Sequence, residues 1–178
     1  MLQRSLTALL ASSCLLTGLP AASLAQANPG FVLFGPQGVR EHALNYRLDF
    51  DGQPGGIDRY RLRIRRSDLA NAQLQDLAVA QIQISYPNTY SGDFDPRRIE
   101  LRVGGKSVPL ESASWQPDNN LIEVIPQDPI PSGRDMEVVL SNVRNPRSGG
   151  IFYFNCRVIT PGGSPLFRHV GTWVISTQ

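Results

Sequence analysis

Lysine is almost missing from this chain. Of its 17 basic residues one, Lys106, is lysine and the rest are arginine. Cysteine is nearly as rare, with Cys14 and Cys156 alone. If the first of them is removed with a leader, no internal disulfide can form. The two histidines, His42 and His169, lie far apart in sequence and fall in no H-x-x-H or H-E-x-x-H spacing. That argues against zinc. No G-x-S-x-G elbow occurs, and no glycine-rich phosphate loop follows a strand, so two common routes to catalysis lack their motifs. Long apolar runs are absent beyond the N-terminal segment, and that one is too short to cross a membrane comfortably.

The N-terminal segment has the layout of a secretory signal peptide. Arg4 supplies the positive end, Leu6 to Leu19 the apolar run, Pro20 the break and Ala25-Gln26-Ala27 the cleavage site. Cleavage there leaves a mature chain starting at Asn28. A lipoprotein reading attaches to Cys14, but Leu15-Leu16 and a further apolar stretch follow it, where a lipidated cysteine should begin a polar chain. The expected organisation is 1–27 signal peptide, 28–43 N-terminal arm and 44–178 one folded domain. A domain of this size buries roughly two-thirds of its unfolded surface without a metal or disulfide.

Charge is close to balanced, with a formal net of +2 for the full chain and +1 once Arg4 is gone. Nucleic-acid-binding domains are usually far more basic, so nucleic acid is not expected as a partner. The preference for arginine suits forked contacts with carboxylate, sulfate or phosphate. It is equally what a biased genome composition produces.

The dominant period is two. Leu44, Tyr46, Leu48 and Phe50 alternate with polar residues, as do Tyr60, Leu62 and Ile64, then Ala80, Ile82, Ile84 and Tyr86. Ile99, Leu101 and Val103 follow the same rule, and so do Met136, Val138 and Leu140. This is the pattern of half-buried strands. Turn signals at Asp51-Gly52, Gly55-Gly56, Gly104-Gly105, Pro117 to Asn120, Pro131 to Gly133 and Gly149-Gly150 separate them. Tight hairpins are predicted at 103–108 and across Pro117 to Asn120. Ile151 to Ile159 and Phe167 to Ser176 carry apolar residues on both faces, which predicts two central strands covered on both sides. Cys156 shares a face with Phe152, Phe154 and Val158 and is expected in the core. One helix is expected, capped by Ser67 or Asp68 and running to Leu77. The predicted fold is all-β: a two-sheet antiparallel β-sandwich, immunoglobulin-like, of about eight strands with one short helix.

The row Arg59, Arg61, Arg63, Arg65 is the leading candidate contact. On a strand these side chains point the same way, about 7 Å from one to the next. A hairpin with the preceding strand would place Asp49 opposite Arg61, Arg47 opposite Arg63 and Leu48 opposite Leu62, quenching part of the row. The row is either a stripe for anionic groups or a solvated strand face that blocks aggregation. The Asp49-Phe50-Asp51 and Asp93-Phe94-Asp95 pairs are of the kind that can start a calcium loop; counted from Asp49 the EF-hand pattern fails, since Tyr60 stands where its glutamate would be, which leaves a calcium site of another kind or, as more often, turn caps. Cys156 with His169 could form a thiol–imidazole pair, but an apolar strand makes the thiol inert. Trp173 and Phe154 read as core, while Tyr86 and Tyr90 read as an exposed pair in a loop.

Several strings, taken as strings, resemble one family: VAQIQISYP, FDPRRIELRVGGKSVPL, VVLSNVRNPRSGGIFYFNCRV and GTWVIS. The chain is similar to the cyanobacterial exported proteins grouped as domain of unknown function 2808, from about Ala43 to the end. The resemblance implies an exported, periplasmic or envelope-associated β-domain and brings no catalytic residue, metal or cofactor. Within its most distinctive string, Asn145-Pro146-Arg147-Ser148-Gly149-Gly150 reads as a shaped turn. Arg144 and Arg147 flank that turn as a second candidate anion contact.

The function expected from these readings is non-enzymatic: an exported domain that binds or organises an envelope component, whether glycan, lipid headgroup or protein. A structural module pairing through sheet edges is the alternative, and a hydrolase with a triad assembled in space comes third.

Overall fold

The computed structural model describes residues 42–162 and 166–178. The expected signal peptide and almost all of the N-terminal arm lie outside the described residues. The strands are β1 (Tyr46–Leu48), β2 (Ile57–Ile64), β3 (Gln81–Ser85), β4 (Ile99–Val103), β5 (Lys106–Val108), β6 (Leu110–Gln116), β7 (Leu121–Pro126), β8 (Met136–Arg144), β9 (Gly150–Ile159) and β10 (Arg168–Thr177). One helix, α1 (Arg66–Asn71), joins β2 to β3.

The first sheet has the order β1-β2-β8-β4-β5 and the second β10-β9-β3-β7-β6, with antiparallel neighbours throughout. The chain changes sheet after β2, β3, β5, β7 and β8. Each strand therefore presents one face to a strand of the opposite sheet, and a period of two is the pattern that this demands. Tyr60, Leu62, Ile64, Leu101, Val138 and Leu140 meet Ile82, Ile84, Ile122, Val124, Phe154 and Trp173 in the core, all at most 1% exposed. The Trp173 indole N–H crosses the core to donate to the Arg63 carbonyl (3.0 Å), so burial does not orphan its polar atom.

Among the described residues the sandwich has ten strands where about eight were expected. Two of them, β1 and β5, are three-residue edge strands, too short for periodicity to separate from their turns. The hairpins at 103–108 and around Pro117–Asn119 form as expected.

The helix is shorter than its leucine spacing suggests. Its N-cap is Arg65 rather than Ser67 or Asp68. Asp68 sits one turn in and accepts from the Arg65 amide (2.8 Å), which anchors the first turn. The helix stops because Gln73 turns left-handed (φ +58°), and the Gln73 and Leu74 amides bond back to the Ala70 and Leu69 carbonyls (2.9 and 2.7 Å). This is a Schellman stop with glutamine where glycine is usual.

The prediction for the last two strands also needs correction. β10 is an edge strand and β9 lies next to it. The outer residues Ile151 and Tyr153 of β9 are 62% and 46% exposed. Apolar residues on both faces marked an exposed patch here, not a second covering layer. Residues 42–44 run along the β10 edge instead: Leu44 N–H donates to the Thr172 carbonyl and Thr172 N–H to the His42 carbonyl (both 2.9 Å). Gly171 permits this approach, because a Cβ there would collide with the His42 carbonyl and the Leu44 side chain.

Candidate functional site

Three of the four arginines in the row share the outer face of the first sheet. Arg59, Arg61 and Arg63 alternate with the buried Tyr60, Leu62 and Ile64 on β2. Arg65 does not join them, because the strand has ended and its backbone caps α1. The next arginine on the face is Arg47, which β1 places opposite Arg61.

The β1–β2 register differs by two residues from the expected one. Leu48 lies opposite Tyr60 rather than Leu62, and the Asp49 amide donates to the Arg59 carbonyl (3.0 Å). A slip of two preserves which face each side chain occupies, so hydrophobic patterning could not choose between the registers. The intervening turn chooses. Asp58, 1% exposed, accepts from the amides of Phe50 (3.0 Å), Gly52 (2.8 Å) and Arg59 (2.6 Å). That fastening sets where β1 ends.

Asp49 nonetheless quenches the row, along a diagonal. Arg61 Nε donates to both Asp49 oxygens (3.0 Å each), while Arg47 and Arg59 approach the same carboxylate at 3.3 and 3.6 Å. Glu137 on β8 holds Arg61 (3.5 Å) and Arg63 (3.1 Å) from the other side. Further along, Arg102 on β4 grips Glu100 (2.9 Å). The hydrogen bond from Arg61 holds the Asp49 carboxyl below the usual carboxylate range against the opposing effect of desolvation, and Arg47 and Arg59 add to the lowering. Arg102 does the same for Glu100. Val139 lies among these charges, paired with Arg61 and Glu100 and only 1% exposed. Long charged side chains shield apolar surface with their stems in this way.

Arg47, Arg59, Arg61, Arg63 and Arg102 thus face Asp49, Glu100 and Glu137, five positive charges against three negative. The surplus is two. Its most available members are Arg47 and Arg63, whose side chains are 66% and 51% exposed.

The second candidate pair sits at the end of the same sheet. Arg144 lies opposite Ile57, exchanges backbone hydrogen bonds with Asp93 (2.9 and 3.0 Å) and approaches its carboxylate at 3.9 Å. Arg147 is exposed in the following turn. Between them Asn145, 2% exposed, ties the turn down. Its Oδ1 accepts from Tyr60 Oη (2.6 Å) and its Nδ2 donates to the Gln53 carbonyl (2.9 Å). Two backbone bonds, Gly55 to Pro146 and Asn145 to Gly56 (2.9 Å each), complete the clasp.

Tyr86 and Tyr90 are not an exposed pair. They are 7% and 4% exposed, within an aromatic cluster that includes Phe94, Phe152 and Phe154. Their hydroxyls find partners inside: Trp115 Nε1 donates to Tyr86 Oη (2.7 Å), and Tyr90 Oη lies 3.1 Å from Tyr60 Oη. Satisfied hydroxyls can be buried, which a loop position alone does not reveal.

Cys156 is fully buried, and desolvation pushes its thiol well above the ordinary range. It pairs with Gly171 and faces the core, whereas His169 pairs with Arg157 on the other side of the sheet. Sheet geometry thus separates the thiol from the imidazole. Among the described residues, no group of three or more metal-ligating side chains gathers and no helix is long and apolar enough to cross a membrane.

Two five-stranded antiparallel sheets with this alternating connectivity define an immunoglobulin-like β-sandwich. The chain belongs to the family described as Protein of unknown function (DUF2808), whose model matches residues 31–177. The match starts earlier than the strings in the sequence suggested. No curated protein matches the chain. Among solved structures it is similar to BslA, a bacterial hydrophobin, at 12% identity over 76% of this chain and 92% of that one (TM-score 0.49). It is similar to a collagen-binding domain from a Staphylococcus aureus adhesin at 10% identity over 75% and 95% (TM-score 0.42). An uncharacterized immunoglobulin-like protein from Nocardia farcinica is similar at 12% identity over 76% and 98% (TM-score 0.41).

Proposed function

We propose that this protein is an exported, non-enzymatic binding domain that contacts an anionic component of a cyanobacterial cell envelope through the outer face of its first sheet. The observation that carries the reading is the surplus of guanidinium over carboxylate on that face, fixed on strands rather than on loops. Asp49 and Glu137 neutralise most of the face and hold the arginines extended, while Arg47 and Arg63 keep donors free for a ligand oxygen. Attraction of this kind is weak per site and falls with salt. It suits a repeating polyanion, whose many contacts add.

The test is co-sedimentation of the mature domain with envelope fragments of its host across a salt series, beside an Arg47→Gln/Arg63→Gln variant. The reading expects salt-sensitive binding that the variant weakens while its melting temperature stays within about 2 °C of the parent. Equal binding by both proteins, or none by either, would contradict it. The proposed organisation is a signal peptide over 1–27, an arm over 28–43 and the sandwich over 44–178. N-terminal sequencing of exported material checks the first boundary and should begin at Asn28.

A further inference from the structure

At the end of the charged face where β2 begins lies an open cleft of about 390 Å³. Its walls come from segments far apart in sequence: Phe50 from the β1–β2 turn, Ile57 and Arg59 from β2, Arg98 from the turn before β4, and Ser141 and Asn142 from β8. Phe50 and Ile57 are 56% and 47% exposed, side by side with these polar groups. Together the two side chains give an otherwise polar cleft one apolar wall. The volume falls within the range of small-molecule sites.

The backbone is shaped for the cleft as well. The β2–β8 ladder is bulged between Asp58 and Tyr60, and opposite it Asn142 adopts φ +60° inside β8. A left-handed residue is rare within a strand, and asparagine is among the few that tolerate it; such bulges re-aim side chains beside binding sites. Asn142 lines the cleft together with Asp95. Arg59 Nε donates to Ser141 Oγ (3.1 Å) and its Nη1 lies 3.6 Å from Asp49, which holds the guanidinium in place. Arg98 makes no ion pair among the described residues.

Two carboxylates also line the cleft, and they decide the ligand's charge. Asp58 is spent on three backbone amides and on Asn145 Nδ2 (3.5 Å). Asp95 accepts from the Arg97 amide (3.1 Å) and Arg97 Nε (3.4 Å). Two guanidiniums against two carboxylates leave a lining without net charge. A polyanion gains little there. An uncharged ligand with both donors and acceptors, and one apolar face, gains most.

We propose that this cleft is a subsite for one ring of a neutral saccharide. The C–H face of the ring lies on Phe50 and Ile57. Its adjacent hydroxyls meet the planar groups of Arg98, Asn142 and Asp95, which present paired donors and acceptors at the spacing of vicinal oxygens. The subsite is independent of the anion contact proposed for the same face. It uses none of the surplus charge of Arg47 and Arg63, and its binding survives salt.

The test is calorimetric titration of the mature domain with soluble oligomers of glucose, mannose and N-acetylglucosamine, and with a galacturonate oligomer, at low salt and at about 0.5 M salt. Phe50→Ala and Arg98→Gln alter exposed side chains and should leave the melting temperature unchanged, and Arg47→Gln/Arg63→Gln serves as the contrast. The expected result is saturable binding of at least one neutral oligomer, weakened about tenfold or more by either cleft variant, and insensitive to salt and to the contrast variant. Absence of saturable binding to every neutral oligomer at millimolar concentration overturns the proposal. So does neutral binding that both cleft variants leave intact. Binding of the galacturonate oligomer alone, lost in salt and in the contrast variant, overturns the subsite and leaves the anion face standing.

Discussion

The two outer faces of this sandwich are built from opposite chemistries on the same scaffold. The first sheet carries ion pairs across β1, β2, β8 and β4, with Arg61 bridging Asp49 and Glu137 at their centre. The second has fewer charges, Glu123 and Arg157 among amides and hydroxyls: Gln81 and Gln116 both donate to Glu123 (3.2 and 2.9 Å), and the Thr172 hydroxyl donates to Asn155 (2.8 Å). Ile151 and Tyr153 leave apolar surface open beside them. Both faces stand on one core, so the difference between them is not needed for folding. The charged face, with its ion pairs, is the one more open to adjustment by salt.

The comparison can be broken most severely from underneath. Phe154→Ala removes a fully buried ring from the shared core and should cost about 3–5 kcal/mol, read from urea unfolding, with both faces lost together. Next comes Asn145→Ala. It strips Tyr60 of its acceptor and unfastens the turn that sets the β1–β2 register, and should cost about 1–3 kcal/mol. Amide exchange should rise over Phe50 to Gly56 and on β1 while β9 and β10 stay protected.

Glu137→Gln leaves Arg61 and Arg63 without their shared carboxylate. The loss should be at most about 1 kcal/mol at low ionic strength and should shrink in high salt. Thr172→Val on the neutral face should show no such salt dependence. The smallest effect concerns pH. Asp49 and Glu100 have folded-state pKa values held below those of the unfolded chain. Their contribution is complete above the ordinary carboxylate value near about 4 and disappears as pH falls through the lowered folded values. Stability should therefore drop below about pH 4, less steeply in Asp49→Asn. Because these ion pairs lie on an outer sheet face beside solvent, the difference should be a fraction of a kcal/mol.

The sandwich was legible in the sequence because alternation reports directly which residues face inward. Ile82, Ile84, Leu101, Phe154 and Cys156 all lie where their period placed them. Alternation is silent wherever a shift of two residues changes nothing, which is why the β1–β2 register was misplaced. Nor does it separate an exposed apolar residue from a covered one, hence Ile151 and Tyr153. A tyrosine in a loop discloses nothing of whether its hydroxyl will find Trp115 or Tyr60. The arginine row was visible as a string, but Glu137, its main counter-charge beside Asp49, lies 74 residues from Arg63 along the chain. The cleft had no sequence signal, because Phe50, Ile57, Arg98 and Asn142 come from four segments joined only by folding.

The central claim is that contact with the envelope is made by the charged face and not by the neutral one. The most direct measurement compares binding to host envelope fragments for Arg47→Gln/Arg63→Gln on the first face and Ile151→Ser/Tyr153→Ser on the second, at low ionic strength. All four positions are at least 46% exposed, so both variants should fold. The account predicts that the arginine variant loses about tenfold or more in affinity and that the second-face variant binds as the parent does. Full binding by the arginine variant, with loss in the Ile151/Tyr153 variant, would contradict it and move the contact to the opposite sheet.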